Sequence, residues 1–443
     1  MDGQRRLVIT LAVEVTVPPE GLDFNSLVGA FQRFGDLSTA RCFGITLQAL
    51  EAELGGRLQA EDPGRYVWDG FAERAKQWIL PFGRLAHRYH RLLDRKTGRH
   101  LLPLREGLKI AHRKRYSWAV LAGPVGLATE LSFRRAAREA KDLQGGLGPS
   151  KSTTYDYFQI LAESGLDPLL PAEERTLEVV VADGTKLKRQ DRGYGAGQMD
   201  LRLVLSETRG GSHLQVAAFD LEAAWPELKK RLREFCPGEQ VGALLSDGEE
   251  GIEALRDMRT RLQRCLVHGP RGLRFALYQD GIKKAGQDPF LDHYRLARAW
   301  TIDASALAEM SEASRYRLRG LLDRAKFVCQ EIHDGLPERA VHARGYLERY
   351  VDASLSYLRA LLNGEPPLPG VTTNQIENVF SRLDLRMKEI GRRWSLPGAT
   401  NMLRVLLTKI FRRDLWQDHL ATLRGLPGQI VIEAKILSVG WES

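Results

Sequence analysis

The spacing of apolar positions changes several times along this chain, and the changes divide it. Residues 7–15 are β-branched and partly alternating, which predicts a strand. Helical spacing follows over 24–34 and 46–54. The stretch 79–104 predicts a β-hairpin turning at Arg95-Lys96-Thr97-Gly98, with Gly98 supplying a positive φ. From 103 to 164 the pattern is helical. A mostly apolar run covers 116–130, a helix over 133–143 is capped by Ser132, and a helix over 151–162 is capped by Ser150. Gly165, Pro168 and Pro171 then mark a domain boundary within 163–174.

Beyond that boundary the period shortens. Runs at 177–182, 201–207, 214–219, 241–246 and 264–267 predict strands, with helical patterns at 225–235 and 252–259. The first three strands read as an antiparallel meander, because Gly193-Tyr194-Gly195-Ala196-Gly197 and Gly210-Gly211 are the only separators. The 225–235 helix then crosses to the strand that ends at Asp247. Residues 270–369 show no convincing strand and read as several helices, among them 315–332 and 344–362. Ile376, Val379, Phe380, Leu383, Met387 and Ile390 recur at helical spacing and predict a half-buried helix over 375–390, with more helix at 397–411. One apolar run remains in the tail, at 429–436. The fold class expected is mixed α/β.

With 443 residues, 43% of them hydrophobic, the chain is long enough for about three domains. Lysine and arginine outnumber aspartate and glutamate by 65 to 56, a formal charge of +9 that leans weakly toward a polyanionic partner. Four scattered cysteines imply no disulfide framework and fit a reducing compartment. No run approaches the ~18 apolar residues of a membrane span, and the N-terminus lacks a signal-peptide core. A soluble, cytoplasmic protein without membrane contact is expected.

Three carboxylates carry the candidate chemistry. Asp183 and Asp247 each follow an apolar run, and Glu377 lies on the flank of the 375–390 stripe, about 100° round the helix from Ile376. Two-metal phosphoryl transfer needs a few hard oxygen ligands on rigid elements, and adjacent strand ends with a neighbouring helix supply them. Catalytic and metal-holding roles are therefore expected for Asp183, Asp247 and Glu377, with Mg2+, or Mn2+, as the cofactor. Each acid also has a plainer reading. Asp-Gly after a strand is common turn chemistry, Asn374 with Glu377 fits a helix cap, and Glu249 or Glu250 could stand in for Asp247.

Taken in order, Ala182-Asp183-Gly184-Thr185, Leu245-Ser246-Asp247-Gly248, Gln263-Arg264-Cys265-Leu266-Val267-His268 and Asn374-Gln375-Ile376-Glu377-Asn378, with Arg382 after it, resemble an insertion-sequence transposase of the DDE type, in the Mutator-like group. The resemblance covers roughly 175–410. It implies a ribonuclease-H-like catalytic core interrupted by an all-α insertion, with Cys265 and His268 supporting the site. The separation of 130 residues from Asp247 to Glu377, against 64 between the aspartates, would leave room for that insertion. The expected division is an N-terminal α+β region (1–102), a helical, helix-turn-helix-like DNA-binding region (103–170), the first part of the core (171–269), the insertion (270–370), the catalytic helix and core completion (371–415) and a tail (416–443).

The implied activity is binding of terminal inverted repeats, followed by magnesium-dependent strand cleavage and strand transfer. A homodimer or higher assembly would join two ends, in association with a bacterial nucleoid. Alternatives are a non-catalytic DNA-binding derivative or a metal-dependent nuclease without strand transfer. Cys265 and His268 also invite zinc, but a structural zinc takes four ligands and no second such pair is present, so no zinc is expected. DNA contacts are expected from Arg134, Arg135, Lys151, Thr153, Thr154 and Tyr155 on the two N-terminal helices. Lys186, Lys188 and Arg189 are expected beside the acids, and Arg392, Arg393 and Trp394 after the catalytic helix; Trp394 or Trp300 could stack on an exposed base, although a core position is the more common outcome for a tryptophan.

Overall fold

The computed structural model describes residues 9, 24–108, 110, 115–190, 197–209, 213–305, 311–365, 372–391 and 393–423. The strand expected at 7–15, the run at 429–436, Arg392 and most of the glycine-rich 193–197 segment lie outside these residues. The protein is mixed α/β with a mixed sheet. Two compact units are present, Met1–Ile160 with Gln417–Ser443 and Leu161–Trp416. No described helix is long and apolar enough to cross a membrane.

In the first unit the two short helices expected near the N-terminus are one helix, Phe24–Glu61. Within the continuous helix the Thr39 hydroxyl donates to the Gly35 carbonyl at 2.7 Å and the Thr46 hydroxyl to that of Cys42 at 2.9 Å, each one turn back. The single hairpin expected over 79–104 is two. β1 (Tyr66–Phe71), β4 (His90–Asp94) and β5 (Arg99–Leu101) form one sheet, and β2 (Lys76–Leu80) and β3 (Gly83–His87) form another. The predicted turn closes β4 on β5, with Gly98 at φ +69°. Arg65 pins that turn through two bonds to Asp94, at 3.0 and 2.9 Å. Helices Trp118–Leu127, Phe133–Leu143 and Lys151–Glu163 follow. Ser132 accepts from the Arg135 N–H and Ser150 from the Thr153 N–H, the caps expected of them.

The second unit is built on one five-stranded sheet. β6 (Arg175–Lys188), β7 (Gln198–Thr208) and β8 (Leu214–Leu221) form the antiparallel meander. The Trp225–Phe235 helix then crosses to β9 (Ala243–Ser246), which pairs parallel with β6, and β10 (Arg261–Arg264) pairs parallel with β9. The sheet order is β10-β9-β6-β7-β8. Trp225, Leu228, Leu232 and Phe235 bury the crossover helix on Val180, Val204, Ala218 and Leu244, and it stops at Cys236, the residue before Pro237. Two details differ from expectation. The 252–259 helix is a single turn at Ile252–Leu255, and β10 lies at 261–264 instead of 264–267.

Five helices follow β10: Gly269–Gln279, Lys284–Ser305, Glu312–Gly335, Val341–Ser354 and Ser356–Leu362. The 344–362 helix expected as one piece breaks at Leu355. Their apolar faces form their own core, with Leu273, Leu277, Leu318, Ile332, Leu347 and Leu358 at its centre. Gln263 ties this core to β10. Its amide N–H group donates to the Ser354 carbonyl at 2.9 Å, and its side-chain oxygen accepts from the Tyr357 N–H at 2.9 Å. The Asn374–Asp384 helix comes next and widens to a π-helical turn over Leu385–Ile390, followed by the Leu396–Phe411 helix.

Candidate active site

Parallel register assembles the centre of the site. Ala182 pairs with Ser246 on β9, and Ser246 with Arg264 on β10. The next residues, Asp183, Asp247 and Cys265, therefore come in a row across three neighbouring strands spaced about 4.8 Å apart. The Cys265 N–H donates to the Ser246 carbonyl at 2.8 Å and fixes that row. Contrary to expectation, Asp183 does not end its strand; β6 runs five residues further against β7. The aspartate sits where its other neighbour, β9, stops.

Asp183 is not spent on a turn, whereas Asp247 makes the expected turn contact after its strand. Asp183 is mid-strand and 6% exposed, and accepts only from the Gly184 N–H, at 2.7 Å. Asp247 is half-buried and accepts from the Glu249 N–H at 2.9 Å. The glycine after each aspartate serves close approach. A Cβ on Gly184 would lie 2.2 Å from Glu249 Oε2. At Gly248 it would lie 2.8 Å from Arg264 Nη1, on a backbone already at φ +102°. Glu249, the alternative to Asp247, has its carboxylate held by Arg202 at 3.0 and 3.2 Å. Glu250 is exposed.

Glu377 reaches the same place from the Asn374–Asp384 helix. The cap expected between Asn374 and Glu377 does not form; Asn374 is already helical, and Thr373 precedes the helix without a side-chain cap. The Thr373 side chain works elsewhere. Its buried hydroxyl lies 2.9 Å from Glu377 Oε1, 3.3 Å from His268 Nδ1 and 3.3 Å from Cys265 Sγ, and its N–H also donates to that sulfur at 3.3 Å. With His268 Nδ1 3.8 Å from Glu377 Oε1, the four side chains form one cluster. The Cys265, His268 and Glu377 ligand atoms lie within 4.8 Å of one another, a spacing that a soft metal can bridge. The Thr373 hydroxyl touches all three.

The charges are strongly coupled. Burial first, then the neighbouring Asp247 charge, pushes the Asp183 carboxyl up to about 7, with Glu377 adding and His268 opposing. The Cys265 thiol is pushed up by burial, but hydrogen bonds with His268 and Thr373 prevail and bring it down to about 7. His268 is raised, chiefly by its bond to Cys265 against the cost of burial, with help from Asp247 and Glu377.

The expected DNA contacts divide. Arg134, Arg135 and Lys151 are exposed, with Arg135 beside Glu139. Thr153 is half-buried beside Ser150, and the Tyr155 ring packs edge-on to Phe133. Thr154 cannot reach a ligand: it is fully buried and donates to the Ser150 carbonyl. Lys186 and Lys188 are exposed, but β6 keeps unbroken register from Val180 to Lys188, so strand alternation turns them away from the Asp183 face. Arg189 is held by Glu222 at 2.9 Å. Arg393 is exposed. Trp394 is no stacking platform; it is 6% exposed, and its indole N–H donates to the Met387 carbonyl at 2.8 Å.

The cation on the Asp183 face is one the sequence reading passed over. Lys388, in the π-helical turn, donates to Thr185 Oγ1 at 2.8 Å and pairs with Asp384. Thr185 is two residues beyond Asp183, on the same side of β6. Arg264 was also missed. It is buried, donates to Ser246 at 3.1 Å, pairs with Glu253 at 2.6 Å, and lies over the Tyr350 ring. Thr373 and Lys388 stand close to the quoted motifs, but nothing in their spacing marks them.

Neither a family model nor a curated protein matches this chain.

Proposed function

We propose that the protein is a DDE-type DNA transposase of the Mutator-like group, with a ribonuclease-H-like core and an all-α insertion at 270–370. The sheet order supports that core: an antiparallel meander whose first strand pairs in parallel with the fourth, and the fourth with the fifth. The five helices with their own apolar core support the insertion. One observation carries the functional reading, the alignment of Asp183 with Asp247 across parallel strands, under the charge of Glu377.

The donor set fits hard divalent cations. Burial and the charges of Asp247 and Glu377 hold Asp183 partly neutral, a cost that a cation would relieve, although among the described residues the donor atoms within 4.8 Å of one another are those of Cys265, His268 and Glu377. Asp183, Asp247 and Glu377 would hold magnesium or manganese, which when bound supplies the Lewis acidity that activates the attacking oxygen and offsets charge on the leaving oxygen. The chain's own residues do the rest. The rigid strands fix two carboxylates, and Thr373 holds the third in place. Lys388 fixes Thr185 beside Asp183 and brings positive charge to a face that phosphates approach. Exposed Arg134, Arg135 and Lys151 offer backbone contacts that steer DNA without reading sequence. No covalent protein intermediate is required, because water and then a freed 3′-hydroxyl are the attacking groups.

The test is incubation of the protein with DNA carrying the ends of its element and magnesium. Joined product is the expected result. Cleavage without joining would reduce the protein to a nuclease, and shifted but intact DNA would leave only binding.

A further inference from the structure

Cys265 and His268 have no second Cys-x-x-His pair to complete a four-ligand zinc site, but a third donor reaches them from a distant segment. Cys265 follows β10 and His268 precedes the Gly269–Gln279 helix, so one short connection carries both. Glu377 lies in the first turn of the Asn374–Asp384 helix. The Thr373 N–H, just before that helix, donates to Cys265 Sγ at 3.3 Å and ties the two segments together.

Geometry and donor type agree on one class of metal. The ligand atoms of the three residues lie within 4.8 Å of one another. Donors about 2.0–2.3 Å from a tetrahedral zinc stand roughly 3.3–3.8 Å apart, so a contraction of about 1 Å at most closes the cluster on an ion. His268 Nδ1 and Glu377 Oε1, 3.8 Å apart, are already at that spacing. A thiolate beside an imidazole selects zinc over magnesium, which takes oxygen ligands. Cys265 is 1% exposed, whereas the His268 and Glu377 side chains are 19% and 36% exposed. The donors are therefore anchored inside the fold and open on one side, where water can take the fourth position. Thr373 supplies the outer support that such ligands need, with its N–H on the sulfur and its hydroxyl 2.9 Å from Glu377 Oε1. Binding through Nδ1 puts the ring proton on Nε2, and the exposed Arg271, 3.5 Å from Nε2, must turn outward to admit it.

We propose that Cys265, His268 and Glu377 form a zinc site beside the Asp183–Asp247 pair, with Glu377 common to the two. A carboxylate held on zinc is withdrawn from the aspartates, so zinc acts as a brake on the magnesium-dependent reaction. The zinc site stands on its own donors, and the braking rests on the reading of the protein as a DNA-cleaving enzyme.

The test uses the full chain, stripped with a chelator and titrated with Zn2+ or Co2+ alone. One zinc per chain should remain after dialysis, and cobalt should show thiolate-to-metal charge-transfer absorption that zinc displaces. Cys265→Ser should lose both. Glu377→Gln, at a partly exposed position where folding should be unaffected, should keep the absorption but bind zinc at least about 10–100-fold more weakly. Asp183→Asn should bind both metals as the parent does. Absence of the thiolate absorption would overturn the site, as would absorption that survives Cys265→Ser or zinc affinity untouched by Glu377→Gln. Zinc lost on Asp183→Asn but kept on Cys265→Ser would place the metal among the carboxylates and overturn it too. A magnesium-dependent cleavage assay then reads the brake. Cleavage should fall as zinc fills the site, and Cys265→Ser should not respond to the same zinc concentration. Undiminished cleavage at full occupancy would overturn the sharing of Glu377. No cleavage with or without zinc, beside intact zinc binding, would sink the enzymatic reading and leave the zinc site standing.

Discussion

Replacing Thr373 by valine keeps the shape of the side chain and removes only the hydroxyl that Glu377, His268 and Cys265 share. The hydroxyl has one proton, and the geometry favours giving it to the Glu377 carboxylate at 2.9 Å while accepting from His268. A hydrogen bond to a charged group is worth about 1.5–3 kcal/mol and a neutral one about 0.5–1.5. Glu377 is 36% exposed, so water recovers part of the loss, and a net cost of about 1–2 kcal/mol follows. In a unit of this size that lowers the melting temperature by roughly 2–8 °C. The effect on rate should be larger. A carboxylate released to wander by about 1 Å loses on the order of 100-fold in a reaction governed by positioning. Thr373→Ser keeps the hydroxyl and should cleave within a few-fold of the parent. The assay is single-turnover cleavage of end-bearing DNA over a magnesium titration, with a thermal melt of each variant. If valine and serine variants slow cleavage equally, or neither does, the hydroxyl does not position Glu377 and the reasoning fails.

Three further outcomes follow from the geometry. Lys388→Met removes the bond to Thr185 on the Asp183 face and should slow cleavage by about tenfold, the loss of roughly one charge-assisted contact, with little change in DNA affinity; a rate equal to the parent's would contradict the role. Gly248→Ala faces a left-handed backbone and the Arg264 guanidinium together, and should destabilise the second unit by about 1–3 kcal/mol in a denaturant melt, whereas an unchanged midpoint would show that the turn after Asp247 can relax. Asp94 is held well below the usual carboxylate range, first by its bond to Arg65. Its contribution to stability is thus present above the unfolded value near 4 and fades as pH falls. Asp94→Asn should melt below the parent at neutral pH and converge with it in acid; a gap that widens in acid would reverse the sign.

Much of the sheet was legible in the sequence because strand period and glycine punctuation are local. The meander, the crossover helix and the stripe through Ile376, Val379 and Phe380 all depend on neighbours within a turn or two. Register is not local. Nothing in 177–183 says that Asp183 sits mid-strand, because the β9 edge that ends beside it is 60 residues away. The same blindness misplaced Lys186 and Lys188, basic and close in sequence to Asp183 but on the other side of an unbroken strand. Trp394 has the core position that is common for a tryptophan, but its partner is not legible: a Cβ on Gly391 would touch its ring at 2.1 Å, a packing no spacing reveals. Thr373 escaped notice because a threonine before a helix is ordinarily a cap. Its hydroxyl instead contacts Glu377 one turn further on and two side chains, Cys265 and His268, from one distant segment.

The central claim is that Asp183, Asp247 and Glu377 act as one site on DNA. Asp183→Asn tests it most directly, since the exchange keeps size and burial while removing the charge. Cleavage and joining of end-bearing DNA with magnesium, measured beside a mobility shift of the same DNA, should show both reactions abolished and binding retained. Full cleavage by the asparagine variant would contradict the account.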